Sequence, residues 1–280
     1  MSRLVGWLFV LPALSVYAVF VLRPLALTVQ YSLYRWDGIG PSTWVGWDNY
    51  LAVLTEPDLV GAIGHALVLV VIFTGVPLCL GLPAAAVLRR ATGGRAVRAV
   101  LLLPQAVPLV AAGFAWSLLL SSTGAVNRLL AAVGLDGVTR AWLGDSSTAL
   151  AAVGVIGAWA LLGLCTTLLL VGVDRIDPAL HEAARLDGAG PWQEFRAVTL
   201  PGVRRELGVC ATVTTTAALA SFDVVYVTTQ GGPGNATAVP GLEVFSLAFA
   251  QREVGLASAL AVVLVVLVLA VVAPVLRWSR

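Results

Sequence analysis

The sequence predicts an all-α integral membrane protein with six transmembrane helices and both termini on the cytoplasmic side. Of its 280 residues, 59% are hydrophobic and only 11% are charged, whereas a soluble domain carries about 25% charged residues. Long uncharged runs also recur along the chain, and a helix needs about 20 apolar residues to cross a bilayer. A lipid environment accommodates such a surface, and water does not.

Six uncharged runs define the predicted spans. In chain order they are Leu4–Leu22, Ala66–Leu88, Ala99–Asn127, Ser146–Val173, a run from Leu207 to Phe222 that should continue past Asp223, and Val254–Leu276. The first run could instead be a signal peptide, since Arg3 precedes it. Its length, and the Arg23-Pro24 pair that ends it in place of a small-residue cleavage site, favour an uncleaved helix.

Arginine placement predicts the orientation, because cytoplasmic segments are enriched in basic residues. All 17 basic residues are arginine. With the N-terminus inside, the inner segments hold Arg3, Arg89, Arg90, Arg95, Arg98, Arg175, Arg185, Arg196, Arg204, Arg205, Arg277 and Arg280, and the outer segments hold Arg23, Arg35, Arg128, Arg140 and Arg252. The short loop 89–98, with four arginines and no acid, is the strongest indicator.

Composition also excludes several classes of function. The chain has no lysine, which excludes a working Walker A loop, so another chain must hydrolyse any ATP. The net charge of +2 does not suggest nucleic acid, and His65 and His181 are too far apart to suggest a metal site. The three cysteines (Cys79, Cys165, Cys210) lie in apolar runs, where cysteine usually acts as a small packing residue.

A polar segment of residues 174–206, called here the 174–206 loop, separates the fourth and fifth predicted spans. Asp177-Pro178 predicts a helix start, and Asp187-Gly188 predicts its end. Gly190-Pro191 restarts the chain as a second helix, and Pro201 marks its exit. The loop is therefore expected to be two short cytoplasmic helices joined by a glycine hinge.

The second helix carries two aromatic residues, Trp192 and Phe195, whose apolar surface lipid cannot fully bury in so polar a segment. An exposed apolar patch often marks a protein partner. The alternative is that the loop packs under its own transmembrane bundle. The residues alone leave both interpretations open.

Residues 182–201 read EAARLDGAGPWQEFRAVTLP. This segment resembles the EAA loop of binding-protein-dependent ABC importer permeases at Glu182, Ala183, Ala184, Asp187, Gly188, Ala189, Phe195, Leu200 and Pro201. The segments WVGWDNY (44–50) and FDVVYVT (222–228), the latter followed by GGPGN, resemble sugar permeases of the subgroup that includes MalF and UgpA. The chain departs from them in its very short N-terminal tail, and it lacks the large periplasmic insertion of the maltose subunit.

The resemblance implies a single permease domain over residues 1–280, with an ABC transmembrane core at about 62–277, in the bacterial inner membrane. It would form half of a carbohydrate pathway. The implied partners are a second permease subunit (MalG/UgpE-like), an ABC ATPase dimer that holds ATP and magnesium, an extracytoplasmic solute-binding protein, a sugar substrate and membrane lipid. The chain itself would bind no cofactor or metal, catalyse no reaction and contact no nucleic acid.

The resemblance also implies that the 174–206 loop couples to the ATPase. The coupling residues would be Glu182, Ala183, Ala184, Asp187, Gly188, Ala189, Phe195 and Pro201. Glu182 would meet a basic group on the ATPase, or instead pair with Arg185 on the loop surface. Ala183 and Ala184 would allow close approach, or simply favour a helix.

Within the same loop, Gly188 is the expected hinge. Asp187 would cap the second helix or bond locally at the turn. Trp192 and Phe195 would dock against the ATPase or underpin the loop, with underpinning favoured for Phe195.

Candidate pathway or gate residues lie on the fifth span, where Thr212, Thr216 and Asp223 share a helical face at spacings of four and seven. Polar groups in a span usually face the bundle interior or a water-filled cavity, although threonines often bond to their own helix. On a straight helix Asp223 would lie roughly 25 Å beyond Glu206, toward the outer edge. A gate, a turn or a binding-protein contact is therefore as good an interpretation as a sugar contact. Trp116 and Trp159 could stack on sugar rings, or simply pack.

Two rival classes remain to be weighed. A membrane-embedded enzyme would need clustered acid–base or metal residues at membrane depth, where the sequence offers Asp223 alone. A self-contained secondary carrier or channel would leave the EAA-like segment unexplained. The spans contain no cluster of basic residues, which disfavours a phosphate-bearing substrate, and the sugar itself cannot be read from the sequence.

Overall fold

The chain is built almost entirely from helices in the computed structural model, which describes residues 3–90 and 94–279. Within these ranges, four helices are long and apolar enough to cross a membrane, and two bent helix pairs raise the number to as many as six. The four are Phe9–Tyr31, Pro57–Arg89, Ala149–Asp174 and Val254–Trp278, and the pairs are Ala99–Ala106 with Leu109–Leu119 and Arg204–Leu219 with Phe222–Thr228. The predicted helical membrane class is confirmed. The centre of the predicted 89–98 loop, residues 91–93, lies outside the described ranges.

Internal contacts divide the chain into two units, of which the first comprises Met1–Val60 and Glu243–Val266. Its N-terminal elements are α1 (Arg3–Tyr17), a π-helical turn (Ala18–Leu22), α2 (Arg23–Tyr31), β1 (Tyr34–Arg35), β2 (Thr43–Trp44) and α3 (Asp48–Thr55). The prediction that Arg23-Pro24 ends the first helix is wrong. The π turn, in which the Arg23 N–H donates to the Ala18 carbonyl, lets Pro24 start α2, where its missing N–H costs little.

A small hairpin of β1 and β2 lies between α2 and α3, on a segment predicted to be outside the membrane. Strand β1 pairs antiparallel with β2, with Tyr34 opposite Trp44, and the two rings meet edge to face at 5.1 Å. The Asn49 side-chain amide donates to the carbonyls of Ser32 (2.8 Å) and Tyr34 (2.9 Å). Gly255 lies so close to the Tyr34 carbonyl oxygen that a Cβ there would overlap it.

The remaining helices follow in chain order. They are α4 (Pro57–Arg90), α5 (Gly94–Ala106), α6 (Leu109–Leu119), α7 (Ala125–Ala132), α8 (Ala149–Asp174), α9 (Pro178–Leu186), α10 (Pro191–Glu194), α11 (Leu200–Gly202), α12 (Arg204–Leu219), α13 (Phe222–Thr228), α14 (Pro240–Phe245) and α15 (Val254–Trp278). A 3₁₀ turn (Asp136–Val138) follows α7, and π turns follow α10 (Phe195–Thr199) and α14 (Ser246–Ala250).

Two predicted spans are broken rather than straight. The run Ala99–Asn127 bends by 103° between α5 and α6, because Pro108 has an extended ψ of 134° and caps α6 instead of continuing α5. A proline also disfavours helical backbone at the residue before it, here Val107. The fifth span bends by 47° between α12 and α13, so the prediction of one continuous helix past Asp223 is wrong.

The second unit, Gly61–Leu242 with Leu267–Arg280, is packed around α8, which contacts α5, α6, α12 and α13. Glycines on α8 permit this closeness. A Cβ on Gly157 would overlap the Phe73 ring, and one on Gly163 would overlap the Leu101 carbonyl oxygen. Small residues let helix backbones approach in membranes, where packing replaces the hydrophobic effect as the main attraction between helices.

Candidate functional site

The first helix of the 174–206 loop starts as the sequence predicts. Asp177 is the N-cap of α9, and its Oδ1 accepts from the Ala179 N–H at 2.9 Å. Pro178 follows at the first helical position, where no N–H is needed. Both features fix where α9 begins relative to the end of α8.

A Schellman turn ends α9. The Ala189 N–H donates to the Ala184 carbonyl (2.9 Å), and the Gly188 N–H donates to the Arg185 carbonyl (3.0 Å). Gly188 has φ +82°, the left-handed conformation that this turn requires and that glycine adopts without a Cβ penalty. The predicted left-handed glycine is thus observed.

Gly190 is the N-cap of α10, and the Gln193 side chain accepts from the Gly190 N–H at 2.8 Å. Asp187 is the C-cap of α9, with its N–H bonded to the Ala183 carbonyl, which agrees with the local alternative for Asp187 and not with a cap on the second helix. The prediction that Pro201 marks the exit of the second helix is wrong, because Pro201 lies inside α11, which runs to Gly202. Pro201 is in the first turn of α11, where a residue without a backbone N–H is tolerated.

The residues matched to the EAA pattern divide by exposure. Four of them are exposed and two are half-buried on the same short helix and turn: Glu182, Ala183, Asp187 and Gly188 are exposed, and Ala184 and Ala189 are half-buried. Leu186, one turn after Glu182 and Ala183, is 88% exposed. This side of α9 therefore offers an apolar side chain beside an acid.

Phe195 faces the opposite way, into the second unit. It packs against a buried cluster from α4, α8 and α12, made of Leu82, Ala85, Leu88, Cys165, Leu169, Leu170, Val173, Ile176, Val203, Leu207 and Cys210. Trp192 stacks on the Phe195 ring at 5.4 Å with 20° between the planes, yet it is 72% exposed. The packing agrees with Phe195 as the residue that underpins the loop.

Glu194 is the residue that the sequence analysis missed. Its carboxylate accepts from Arg185 Nε (2.9 Å), from Arg185 Nη2 (3.0 Å) and from His181 Nδ1 (2.8 Å). The Arg185 hydrogen bond lowers the pKa of Glu194 from 4.5 to about 2, and the same contact raises the pKa of Arg185. Arg185 therefore pairs with Glu194 rather than with Glu182, the surface alternative that the sequence suggested.

One sequence signal could have pointed to this contact. His181 and Arg185 are four residues apart on one helix, so they share a face. Glu194 is an acid just beyond the glycine turn, which folds the second helix back toward that face. A cavity of about 680 Å³ lies beside the contact and is lined by Ala86, Val87, Arg89, Val173, Pro178, His181, Glu182, Arg185, Pro191, Glu194, Phe195 and Thr199.

The candidate pathway residues do not share one straight face. Thr212 Oγ1 donates to the Gly208 carbonyl, and Thr216 Oγ1 donates to the Thr212 carbonyl, each at 2.8 Å. Asp223 is exposed in the first turn of α13, beyond the 47° bend. The bend also invalidates the straight-helix distance from Glu206.

A buried threonine cluster, not singled out from the sequence, joins α4 to α12. Thr74 Oγ1 lies 2.9 Å from Thr214 Oγ1 and 3.4 Å from Thr215 Oγ1. Trp116 and Trp159 pack edge to face with ring centroids 5.5 Å apart, and Trp116 contacts the second buried cluster of the unit. Of the two interpretations offered for Trp116 and Trp159, stacking on sugar rings or packing within the protein, these contacts agree with packing.

The family described as binding-protein-dependent transport system inner membrane component matches residues 77–277. The chain is 34% identical over 274 residues to the probable ABC transporter permease protein YurN of Bacillus subtilis (strain 168), covering 96% of this chain and 94% of YurN. It is 34% identical over 278 residues to the trehalose/maltose transport system permease protein MalF of Thermococcus litoralis, covering 98% and 93%. In the crystal structure of a bacterial alginate ABC transporter in complex with alginate pentasaccharide-bound periplasmic protein, one chain matches with a TM-score of 0.78 at 22% identity, covering 99% of this chain and 94% of that one.

Proposed function

The chain belongs to the family of binding-protein-dependent transport system inner membrane components, and on that premise we propose that it is the permease subunit of an ATP-driven carbohydrate importer. It is a multi-pass protein of the bacterial inner membrane and an ABC transporter permease rather than an ATPase. In the proposed complex it forms half of the sugar pathway beside a second permease subunit. ATP and magnesium bind to a separate ATPase dimer.

The observation that carries the proposal is the form of the 174–206 loop. Glu182, Ala183 and Leu186 lie on the outer side of α9, and Phe195 anchors the loop to the transmembrane helices. A partner that pushes on α9 would therefore move α4, α8 and α12 through packed side chains. Such a lever is what coupling of ATP-driven closure to the pathway requires, and it supports an orientation with the loop and both termini in the cytoplasm.

Carbohydrate is the proposed substrate class because a full-length relative at 34% identity is named a trehalose/maltose permease. The structural neighbour that was solved with an alginate pentasaccharide-bound periplasmic protein supports an external solute-binding protein as a further partner. Thr212, Thr216 and Asp223 remain predictions as pathway or gate residues. The single permease domain over residues 1–280 also remains a prediction.

The test is uptake of radiolabelled maltose and trehalose by vesicles that contain this chain with a second permease subunit, an ATPase and a solute-binding protein. Uptake should require ATP, stop with vanadate, and fall at least about tenfold in Glu182→Arg, since a like charge would face the basic group on the ATPase. Uptake driven by an ion gradient and indifferent to vanadate would identify a self-contained carrier instead. If neither sugar is taken up but ATP hydrolysis responds to the binding protein, the permease role stands, and maltose and trehalose are not its substrates.

A further inference from the structure

The Schellman turn at Gly188 does not by itself fix the angle between α9 and α10. A Cβ built on Gly188 would meet no atom within 4 Å, so no neighbouring group holds the turn. Glycine is also the residue with the widest choice of backbone angles. A rigid two-helix loop therefore needs a contact across the turn.

Glu194 provides that contact. Its carboxylate, only 9% exposed as a residue, accepts three hydrogen bonds from two α9 side chains, Arg185 and His181. Bonds with an ionised partner are shorter and about twice as strong as neutral ones, and the two-point Arg185 contact also fixes direction. Glu194, at the end of α10, is thus clamped to the middle of α9 at His181 and to its last turn at Arg185.

His181 extends the contact to the transmembrane helices. Its Nε2 lies 3.5 Å from Arg89 Nη1 at the end of α4, and Arg89 Nε lies 3.9 Å from Asp174 at the end of α8. A guanidinium can only donate, so Nε2 is the acceptor in this contact. The Nδ1–H is then the group that donates to Glu194.

We propose that His181 and Glu194 are positioning residues that hold the 174–206 loop at a fixed angle and against the end of α4 while the loop transmits force. The proposal rests on the coupling function proposed above. Neither residue belongs to the EAA pattern. Their role is to make the angle and attachment of α9 independent of the unsupported turn at Gly188.

The two contacts define what a substitute for His181 must supply. It needs an acceptor for the Arg89 guanidinium and a donor for the Glu194 carboxylate. A glutamine side chain offers one of each, and a leucine side chain offers neither. The charged groups around the imidazole are Arg89 from α4, Asp174 on α8, Glu182 and Arg185 on α9, and Glu194 on α10.

The test uses the complete transporter in proteoliposomes, with phosphate release from ATP measured with and without the binding protein. Stimulation by the binding protein should fall about fivefold in His181→Leu, the scale of one lost hydrogen bond. His181→Gln keeps both an acceptor and a donor, so it should recover most of the stimulation. Arg196→Gln, which changes an exposed arginine of the same loop outside this contact network, is the matched control and should behave as the wild type.

Arg89→Gln gives a second, independent readout with the histidine intact. It removes the guanidinium that His181 contacts on α4 but keeps the contact with Glu194, so stimulation should fall less than in His181→Leu. Wild-type stimulation in both His181→Leu and Arg89→Gln, or no recovery in His181→Gln, would overturn the inference. If the wild type shows no stimulation, the proposed function fails first, and this inference fails with it.

Discussion

Replacing Gly188 with valine should uncouple ATP hydrolysis from transport while leaving the protein inserted and folded. The residue has φ +82°, and a Cβ built there would meet no atom within 4 Å. The cost is therefore one of backbone conformation alone, without a clash. For an L-residue the left-handed region costs roughly 1–2 kcal/mol, and more for a β-branched one.

The loop can escape this strain only by opening the turn. Opening would break the bonds from Ala189 to Ala184 and from Gly188 to Arg185, each worth about 1 kcal/mol net. Either way, about 1–3 kcal/mol acts against the native turn, which lowers the ratio of native to opened loops about 5-fold to 150-fold. Phe195 keeps its own packing against the transmembrane helices, so the loss should remain local.

The assay compares three variants in the reconstituted complex by ATP-driven sugar uptake, ATP hydrolysis and gel-filtration profile. Gly188→Asn should retain most uptake because asparagine tolerates left-handed backbone, Gly188→Ala should be intermediate, and Gly188→Val should hydrolyse ATP with little transport. Wild-type uptake in Gly188→Val would refute the reasoning. Equal loss in the asparagine and valine variants would show that the side chain, rather than the backbone, matters at this position.

Three further outcomes are expected. Gly163→Ala should lower stability by about 1–3 kcal/mol in thermal unfolding, because its methyl would overlap the Leu101 carbonyl, whereas Gly75→Ala, which faces open space, should change it little. The pKa of Glu194 is lowered from 4.5 to about 2 in the folded protein, so its ionised carboxylate contributes its full stabilisation above about pH 4.5 and progressively less as the pH falls toward 2. The difference in melting temperature between the wild type and Glu194→Gln should therefore shrink as the pH falls from 4.5 to about 2. Asp177→Ala should cost about 1 kcal/mol of helix stability, seen as faster hydrogen exchange in the first turn of α9 with no change elsewhere.

Much of the fold could be predicted because hydrophobic runs and helix caps act locally. Ser146–Val173 and Val254–Leu276 agree with α8 and α15 within a few residues. In the 174–206 loop, Asp177 caps the start of α9 and Gly188 adopts the left-handed conformation that ends it, as the two residue types predict. These features depend on neighbours in sequence, which a single chain reveals.

The predictions that were wrong, and the contact of Glu194 that was not predicted, have a different origin. Pro24 and Pro108 have the same local chemistry, yet Pro24 lies in the first turn of α2 after a π turn, and Pro108 lies at a 103° break within a predicted span. Glu194 reads as an ordinary surface acid until the Gly188 turn brings it to His181. Tertiary placement decides each case, and charge-free runs carry no information about it.

The break between α5 and α6 limits which part of this chain can face lipid. Ala99–Ala106 rises about 12 Å and Leu109–Leu119 about 17 Å, so neither half alone crosses a hydrocarbon layer about 30 Å thick. Non-helical backbone cannot face lipid tails, because each unpaired peptide group there costs several kcal/mol. The peptide groups near Val107 must therefore be shielded by protein or hydrated, so lipid tails cannot cover this chain at the break.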